Sequence, residues 1–414
     1  MTSKKTTNRI LLLLVLLLII IVAIPPAFMM MFYSENYSID LIGDEVMDLG
    51  LNSVYEDPGA EAKANGRDSS EDIVVSGNVD TSVPGTYEIT YSAHNMSKTR
   101  TVYVGTTMDP SIQLKGDSAL TINLGDEYVE TGFSASDDDG QDLTKKVIVD
   151  TSELNRAGSR HIYYTVADAD GNTTKVSREI NILPNTDYST PGLPICMFHY
   201  VYDENDPPED LHKRYGNYIS AQALEEEINW LKSEDYYFPD WDEVRDYIDG
   251  KLLLPEKSVV LTFDDGEMSF LQEGIPVLER CRVPATSFLI TKNRGAEKAM
   301  RFASEYVTFQ SHTHNMHRTG GNVGHGGIFT VLPFDEALAD LKQSIELCGN
   351  GDAFAYPYGD YNDATHLALE AAGFKCAVTT QPGKAKPGDD PLLLPRQRMS
   401  LGQTLQSFQN KVQP

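Results

Sequence analysis

From Ile10 to Tyr33 the chain carries no charged side chain, and Ile10 through Ile21 is entirely leucine, isoleucine and valine. A run of that length spans about 30 Å of hydrocarbon and predicts a transmembrane helix. Lys4, Lys5 and Arg9 precede it and no Lys or Arg follows closely, which leaves the amino terminus in the cytoplasm and everything after about Ser34 outside. A cleaved signal peptide is the competing reading. Its apolar core runs only about 7–15 residues and ends in a small-x-small site, whereas Pro25-Pro26-Ala27 is followed by more apolar residues. The expectation is a single-pass cell-membrane protein with residues 1–36 as cytoplasmic tip and anchor and the remainder extracytoplasmic.

Beyond the anchor the texture is polar with short alternating runs. Gly85-Thr86-Tyr87-Glu88-Ile89-Thr90-Tyr91 alternates in period two directly after Pro84, and Ser159 to Val166 does likewise, the pattern of half-buried strands. From about residue 193 strand and helix patterns alternate instead. Ala221 to Glu234 is an amphipathic helix, Ser258 to Phe263 a buried strand, Phe270 to Arg280 a helix, Ala285 to Ile290 a strand and Phe334 to Leu347 a helix. Repeated strand–helix units predict an α/β domain with a largely parallel sheet, here a distorted β/α barrel over 193–414. The proline- and polar-rich stretch 184–192 reads as a linker.

A shift of 73 residues brings Leu41, Gly43 and Asp44 over Leu114, Gly116 and Asp117. The register continues without a gap through Leu51 on Leu124, Tyr55 on Tyr128, Gly59 on Gly132, Gly85 on Gly158 and Tyr91 on Tyr164. A duplication of strand-rich units predicts two all-β sandwiches, at 37–107 and 108–183. The run from Val83 to Ala93 resembles the late strands of bacterial immunoglobulin-like modules, which occur in tandem on cell-surface proteins. Such modules serve equally as spacers, glycan binders and adhesion units, so a rigid stalk is the simplest expectation and glycan or protein contacts through the repeats stay open.

Charge narrows the partners. With 34 Lys+Arg against 61 Asp+Glu the formal net charge is −27, which repels nucleic acid in the absence of a local basic patch, and none is present in the sequence. Cys196, Cys281, Cys348 and Cys376 show no close ligand spacing, so a structural zinc site is not expected. Buried free thiols and one or two extracellular disulfides both remain open.

The chemistry falls at predicted strand ends. Val259–Phe263 runs straight into Asp264-Asp265-Gly266. Two adjacent carboxylates disfavour joint ionisation unless a cation intervenes, a conflict that one metal ligand and one base resolve. Ser311-His312-Thr313-His314-Asn315-Met316-His317 supplies three imidazoles, and imidazole with carboxylate suits a zinc-like divalent ion.

At these residues the chain resembles the polysaccharide deacetylases, metal-dependent carbohydrate esterases that share the NodB homology domain. Thr262-Phe263-Asp264-Asp265-Gly266 matches the family's first motif, which implies Asp264 as general base and Asp265 as metal ligand. Most members place their two histidine ligands four residues apart. Here His312 plus four is Met316, a poor ligand for such an ion, and His312 plus five is His317. That spacing resembles the poly-N-acetylglucosamine deacetylase branch and implies Asp265, His312 and His317 as ligands, with His314 the alternative ligand or else a loop residue facing substrate or solvent.

Tyr356-Pro357-Tyr358-Gly359 resembles the motif that forms one wall of the family's groove. Pro357 and Tyr358 would then line the substrate, with the Tyr358 N–H facing the developing oxyanion. The motif's arginine is replaced by Ala355. Arg396 either supplies the guanidinium from elsewhere in the site, where it is expected to bind substrate with Pro357, Tyr358 and His314, or forms a surface ion pair. The late histidine that serves most members as general acid has only His366 as its counterpart, inside a helical run. The poly-N-acetylglucosamine deacetylase branch is circularly permuted relative to other members and its acid arrives on an early strand; Pro194 to Tyr200 resembles such a strand and carries His199, the general acid that the resemblance implies.

The resemblance thus implies a metal-dependent N-deacetylase of an N-acetylhexosamine-containing cell-surface polysaccharide, peptidoglycan or poly-N-acetylglucosamine, which releases acetate through metal-activated water. The divalent ion would be zinc, with cobalt, nickel and iron as other occupants of such a ligand set. An O-acetyl esterase with the same site, or a catalytically inactive wall-binding or adhesion protein, is the alternative.

Overall fold

The computed structural model describes residues 36–105, 109–137, 140–400 and 402–414. The expected membrane anchor lies outside the described residues, and among those described no helix is long and apolar enough to cross a membrane. By packing, the chain divides into two compact units. One comprises residues up to Lys115 with Gly132–Val149 and Tyr164–Val176, the other Gly116–Thr131, Asp150–Tyr163 and Ser177–Pro414.

In the first unit, Tyr37–Leu41, Ala60–Ala64 and Arg67–Asp68 form an antiparallel three-stranded sheet. Val46–Leu49, Met96–Val104, Gly85–Ala93 and Val74–Ser76 form a four-stranded sheet in that order. The long strands bury every second residue, Ile89, Tyr91 and Ala93 on one and Arg100, Val102 and Val104 on the other, as period-two alternation requires. His94 and Asn95, both at positive φ, make the two-residue turn between them.

Arg100 is a buried charge, and its partners account for it. Its guanidinium donates to Asp57 Oδ1 at 2.8 Å, to the Tyr91 hydroxyl at 2.9 Å and to the Asp44 carbonyl at 2.9 Å. In the second unit Arg178, equally buried, stands 3.7 Å from Glu130 and donates to the Asp117 carbonyl. The two arginines occupy equivalent positions in the duplicated units. The uniform shift misses them because the hairpin before Arg178, from Ala167 to Thr173, is longer than Ala93 to Met96.

Seven parallel strands of the second unit close a barrel: β1 (Ile195–Phe198), β2 (Val260–Phe263), β3 (Ala285–Leu289), β4 (Val307–Ser311), β5 (Ala353–Ala355), β6 (Cys376–Pro382) and β7 (Leu394–Arg398). They follow chain order, and β1 pairs with both β2 and β7. Every residue of β1, β2, β3 and β5 is buried, as expected of strands covered on both faces.

Helices Ala221–Ser233, Trp241–Ile248, Phe334–Cys348 and Asp363–Ala372 pack around these strands. Ser220 caps the first by accepting the Ala223 N–H, and Asp240 with Glu243 forms a capping box on the second. The helix expected over Phe270 to Arg280 starts instead as a wide π turn, Phe270–Gly274, before α-helix Ile275–Cys281. Pro276 has no N–H to direct at the preceding turn, so the regular ladder cannot run through it. All four cysteines are free.

Candidate active site

The barrel delivers its chemistry at the carboxyl ends of its strands, the end where a parallel barrel exposes its loops. His199 follows β1, Asp264 and Asp265 follow β2, His312 follows β4, Tyr358 follows β5 and Arg396 lies on β7. A cleft of about 480 Å³ is lined by His199, Asp264, Asp265, His312, His317 and Tyr358, together with Tyr200, Arg214, Asn217, His325, Tyr356, Thr380 and Arg398.

Asp264 is 3% exposed. Burial pushes its carboxyl up, but Arg396 grips both oxygens, Nη1 to Oδ1 at 2.8 Å and Nη2 to Oδ2 at 2.7 Å, and the net effect holds it below the usual carboxylate range. The same guanidinium donates from Nε to the Thr379 carbonyl at 2.8 Å and from Nη1 to the Thr262 hydroxyl at 3.1 Å, so its fork is fixed by β6 and β2. Neither expectation of a surface ion pair nor of a substrate contact fits Arg396. It is 1% exposed and does not line the cleft, because β7 closes the barrel against β1 and turns this side chain inward. It does supply the guanidinium that Ala355 cannot.

Asp265, His312 and His317 bring one ligand atom each within 4.8 Å of one another. His312 Nε2 lies 3.5 Å and His317 Nε2 3.4 Å from Asp265 Oδ1. His312 Nδ1 donates to the Ala355 carbonyl at 2.6 Å, which turns Nε2 toward the group. The backbone of the residue that lacks the motif arginine therefore orients a ligand.

Burial holds His317 neutral, with its pKa lowered to about 4. Burial also opposes charge on His312, but the Asp265 and Asp264 carboxylates and the Ala355 carbonyl together outweigh this and raise its pKa. Asp265 is lowered despite burial, by its bond to His312 and the neighbouring imidazoles. Two imidazole nitrogens and a carboxylate at this separation are a donor set that fits a divalent ion of intermediate softness. The Tyr200 hydroxyl, which accepts from Arg214 at 2.9 Å, stands 3.3 Å from Asp265 Oδ2.

The backbone here is strained where the chemistry needs it. Asp265 (φ 72°), Thr313 (φ 72°) and Tyr358 (φ 60°) all sit in the left-handed region. At Tyr358 this breaks the turn Pro357–Gly359, and the N–H donates to no protein acceptor among the described residues. Gly266, also left-handed, has no room for a side chain: a Cβ would fall 2.3 Å from Leu289. His199 Nδ1 is buried without a partner, and burial lowers the imidazole's pKa.

Other expected residues fall elsewhere. His314 neither joins the ligand group nor lines the cleft. Its backbone N–H donates to Asp340 at 2.7 Å and its ring Nδ1 pairs with the Thr291 hydroxyl at 3.0 Å, which holds the ring apart from the ligand cluster. Pro357 is buried and lies outside the cleft lining. His366 pairs with Asp390 at 2.9 Å, and Met316 is a core residue, 1% exposed. No sequence motif marks Tyr200, Arg214, His325 or Arg398. For His325 the glycine-dense run Gly320-Gly321-Asn322-Val323-Gly324-His325-Gly326-Gly327 was the available signal.

The family model for polysaccharide deacetylases matches residues 252–377, and that for the bacterial surface protein Ig-like domain matches 39–104 and 112–182. A poly-beta-1,6-N-acetyl-D-glucosamine N-deacetylase of Staphylococcus epidermidis is 30% identical over 226 residues, covering 49% of this chain and 77% of the relative. The protein of that name from Staphylococcus aureus strain MRSA252 is 28% identical over 204 residues, covering 44% and 69%. Among solved structures, IcaB from Ammonifex degensii is 26% identical, with a TM-score of 0.45 over 54% of this chain and 97% of that one.

Proposed function

The chain belongs to the polysaccharide deacetylase family, and we propose that it is a metal-dependent N-deacetylase of an N-acetylhexosamine-containing cell-surface polysaccharide, poly-N-acetylglucosamine or peptidoglycan. The observation that carries this reading is the meeting of Asp265, His312 and His317 beside an arginine-held Asp264. The two Staphylococcus relatives, both N-deacetylases by name, favour an amide over an O-acetyl ester as the bond cleaved. The enzyme works outside the cytoplasm, held at the membrane by the apolar segment Ile10–Tyr33.

A divalent ion held by Asp265, His312 and His317 would supply the positive charge that polarises an acetyl carbonyl and acidifies water, with zinc, cobalt, nickel and iron(II) all suited to the donors. Asp264, kept anionic and aimed by Arg396, accepts the proton of the attacking water. The Tyr358 N–H donates to the oxygen as it gains charge. His199 delivers a proton to the amine as the C–N bond breaks, and acetate and a free amino sugar depart.

The test is acetate release from N-acetylglucosamine oligomers by the full chain, stripped with a chelator and then supplied with zinc or cobalt, beside Asp265→Asn. The expected result is metal-restored release that the substitution abolishes. A folded protein silent with every metal would overturn the reading.

A further inference from the structure

The loop from Arg318 to Gly327 has no part in the chemistry above, yet it borders the same cleft through His325. It is wrapped around one carboxylate. Asp360, 5% exposed, accepts the N–H of His325 at 2.8 Å and of Gly327 at 2.8 Å. The loop's glycines follow from that grip: a Cβ on Gly324 would fall 2.0 Å from Asp360 Oδ1, and one on Gly327 would fall 3.2 Å from Oδ2.

The His325 side chain is itself 73% exposed, and the contact of its Nδ1 with Asp360 Oδ1 at 3.3 Å orients the ring. A carboxylate acceptor places the proton on Nδ1 and leaves the Nε2 lone pair, which meets no protein partner among the described residues. An aimed acceptor beside a polysaccharide cleft suits a sugar hydroxyl, a donor present on every residue of the polymer.

We propose that His325 is a substrate-contacting residue, accepting a hydrogen bond from a sugar hydroxyl at a subsite flanking the scissile residue, and that buried Asp360 is the positioning residue that aims it. The proposal rests on the deacetylase reading above. A single hydrogen bond to substrate that is equally strong in ground and transition states appears in KM and spares kcat.

The experiment compares wild type, His325→Ala and Asp360→Asn, as full chains with zinc, on an N-acetylglucosamine pentamer and on 4-nitrophenyl acetate, which is too short to reach a flanking subsite. For His325→Ala the expected pentamer KM is roughly 3- to 15-fold higher, with kcat within about twofold and ester turnover unchanged. Asp360→Asn is expected to repeat the KM change. An unchanged pentamer KM for His325→Ala, or a parallel loss on the ester, overturns the proposal. If the wild type releases no acetate from the pentamer, the deacetylase reading fails by itself. The pentamer Kd of wild type and His325→Ala by calorimetry then decides, with equal values overturning the contact and a weaker variant supporting it.

Discussion

Arg396 and Asp264 form a two-pronged ion pair, at 2.8 and 2.7 Å, in which neither side chain is more than 4% exposed. A buried pair of this kind adds little net stability over an apolar replacement, but breaking it strands a charge. Its value here is to keep one buried carboxylate anionic and pointed at the cleft.

Arg396→Met should therefore destabilise the second unit by about 3–5 kcal/mol. Arg396→Lys keeps the charge but loses the planar fork. It should fold, with kcat on N-acetylglucosamine oligomers lowered roughly 100-fold and KM little changed. Urea melts and steady-state kinetics check the two halves.

Metal affinity should track the ligand group and its outer support separately. Asp265→Asn removes the anionic donor of the Asp265–His312–His317 group and should abolish stoichiometric zinc uptake measured against a chromophoric chelator. Tyr200→Phe removes only the hydroxyl beside Asp265 Oδ2 and should weaken zinc roughly tenfold.

A residue that protonates a leaving group matters in proportion to how poorly that group leaves. His199→Ala should lower kcat on the N-acetyl amide by about 10²–10⁴. On 4-nitrophenyl acetate, whose phenolate departs without a proton, the loss should be under about tenfold. Equal losses on both substrates would remove His199 from the acid role.

Glu227, 3% exposed on helix Ala221–Ser233, accepts from Gln403 at 2.7 Å, yet burial pushes its carboxyl up to about 8. Against an unfolded value near 4.5, the folded state holds a proton that the unfolded chain releases. Stability should thus fall as pH rises from about 4.5 to about 8, and level off on either side. Glu227→Gln should erase that slope. It should match the wild type at pH near 4 and exceed it by a few kcal/mol, on the order of 2–5, at pH near 8 in urea melts.

Much of the domain was legible because its signals are local. Ser258–Phe263 and Ala285–Ile290 contain strands β2 and β3, and Phe334–Leu347 a helix, since apolar runs and 3.6-residue periodicity act over neighbouring residues. The adjacent Asp264 and Asp265 announced themselves at a strand end for the same reason. The π turn at Phe270–Gly274 and the offset between Arg100 and Arg178 were not legible, because one depends on how Pro276 is accommodated and the other on a hairpin's length.

The sequence by itself determined the kinds of element, the duplicated β units, the strand–helix alternation and a motif with two acids and a histidine cluster. The tertiary structure decided which distant residues complete that motif. His199 and Arg396 both lie outside the 252–377 match, one before it and one after, and 132 residues separate Arg396 from Asp264. Pairing of β1 with both β2 and β7 brings them to one rim. Burial then decides their roles: no local pattern tells an arginine on a surface from one sealed inside a barrel, where the Asp264 carboxylate, the Thr379 carbonyl and the Thr262 hydroxyl satisfy it.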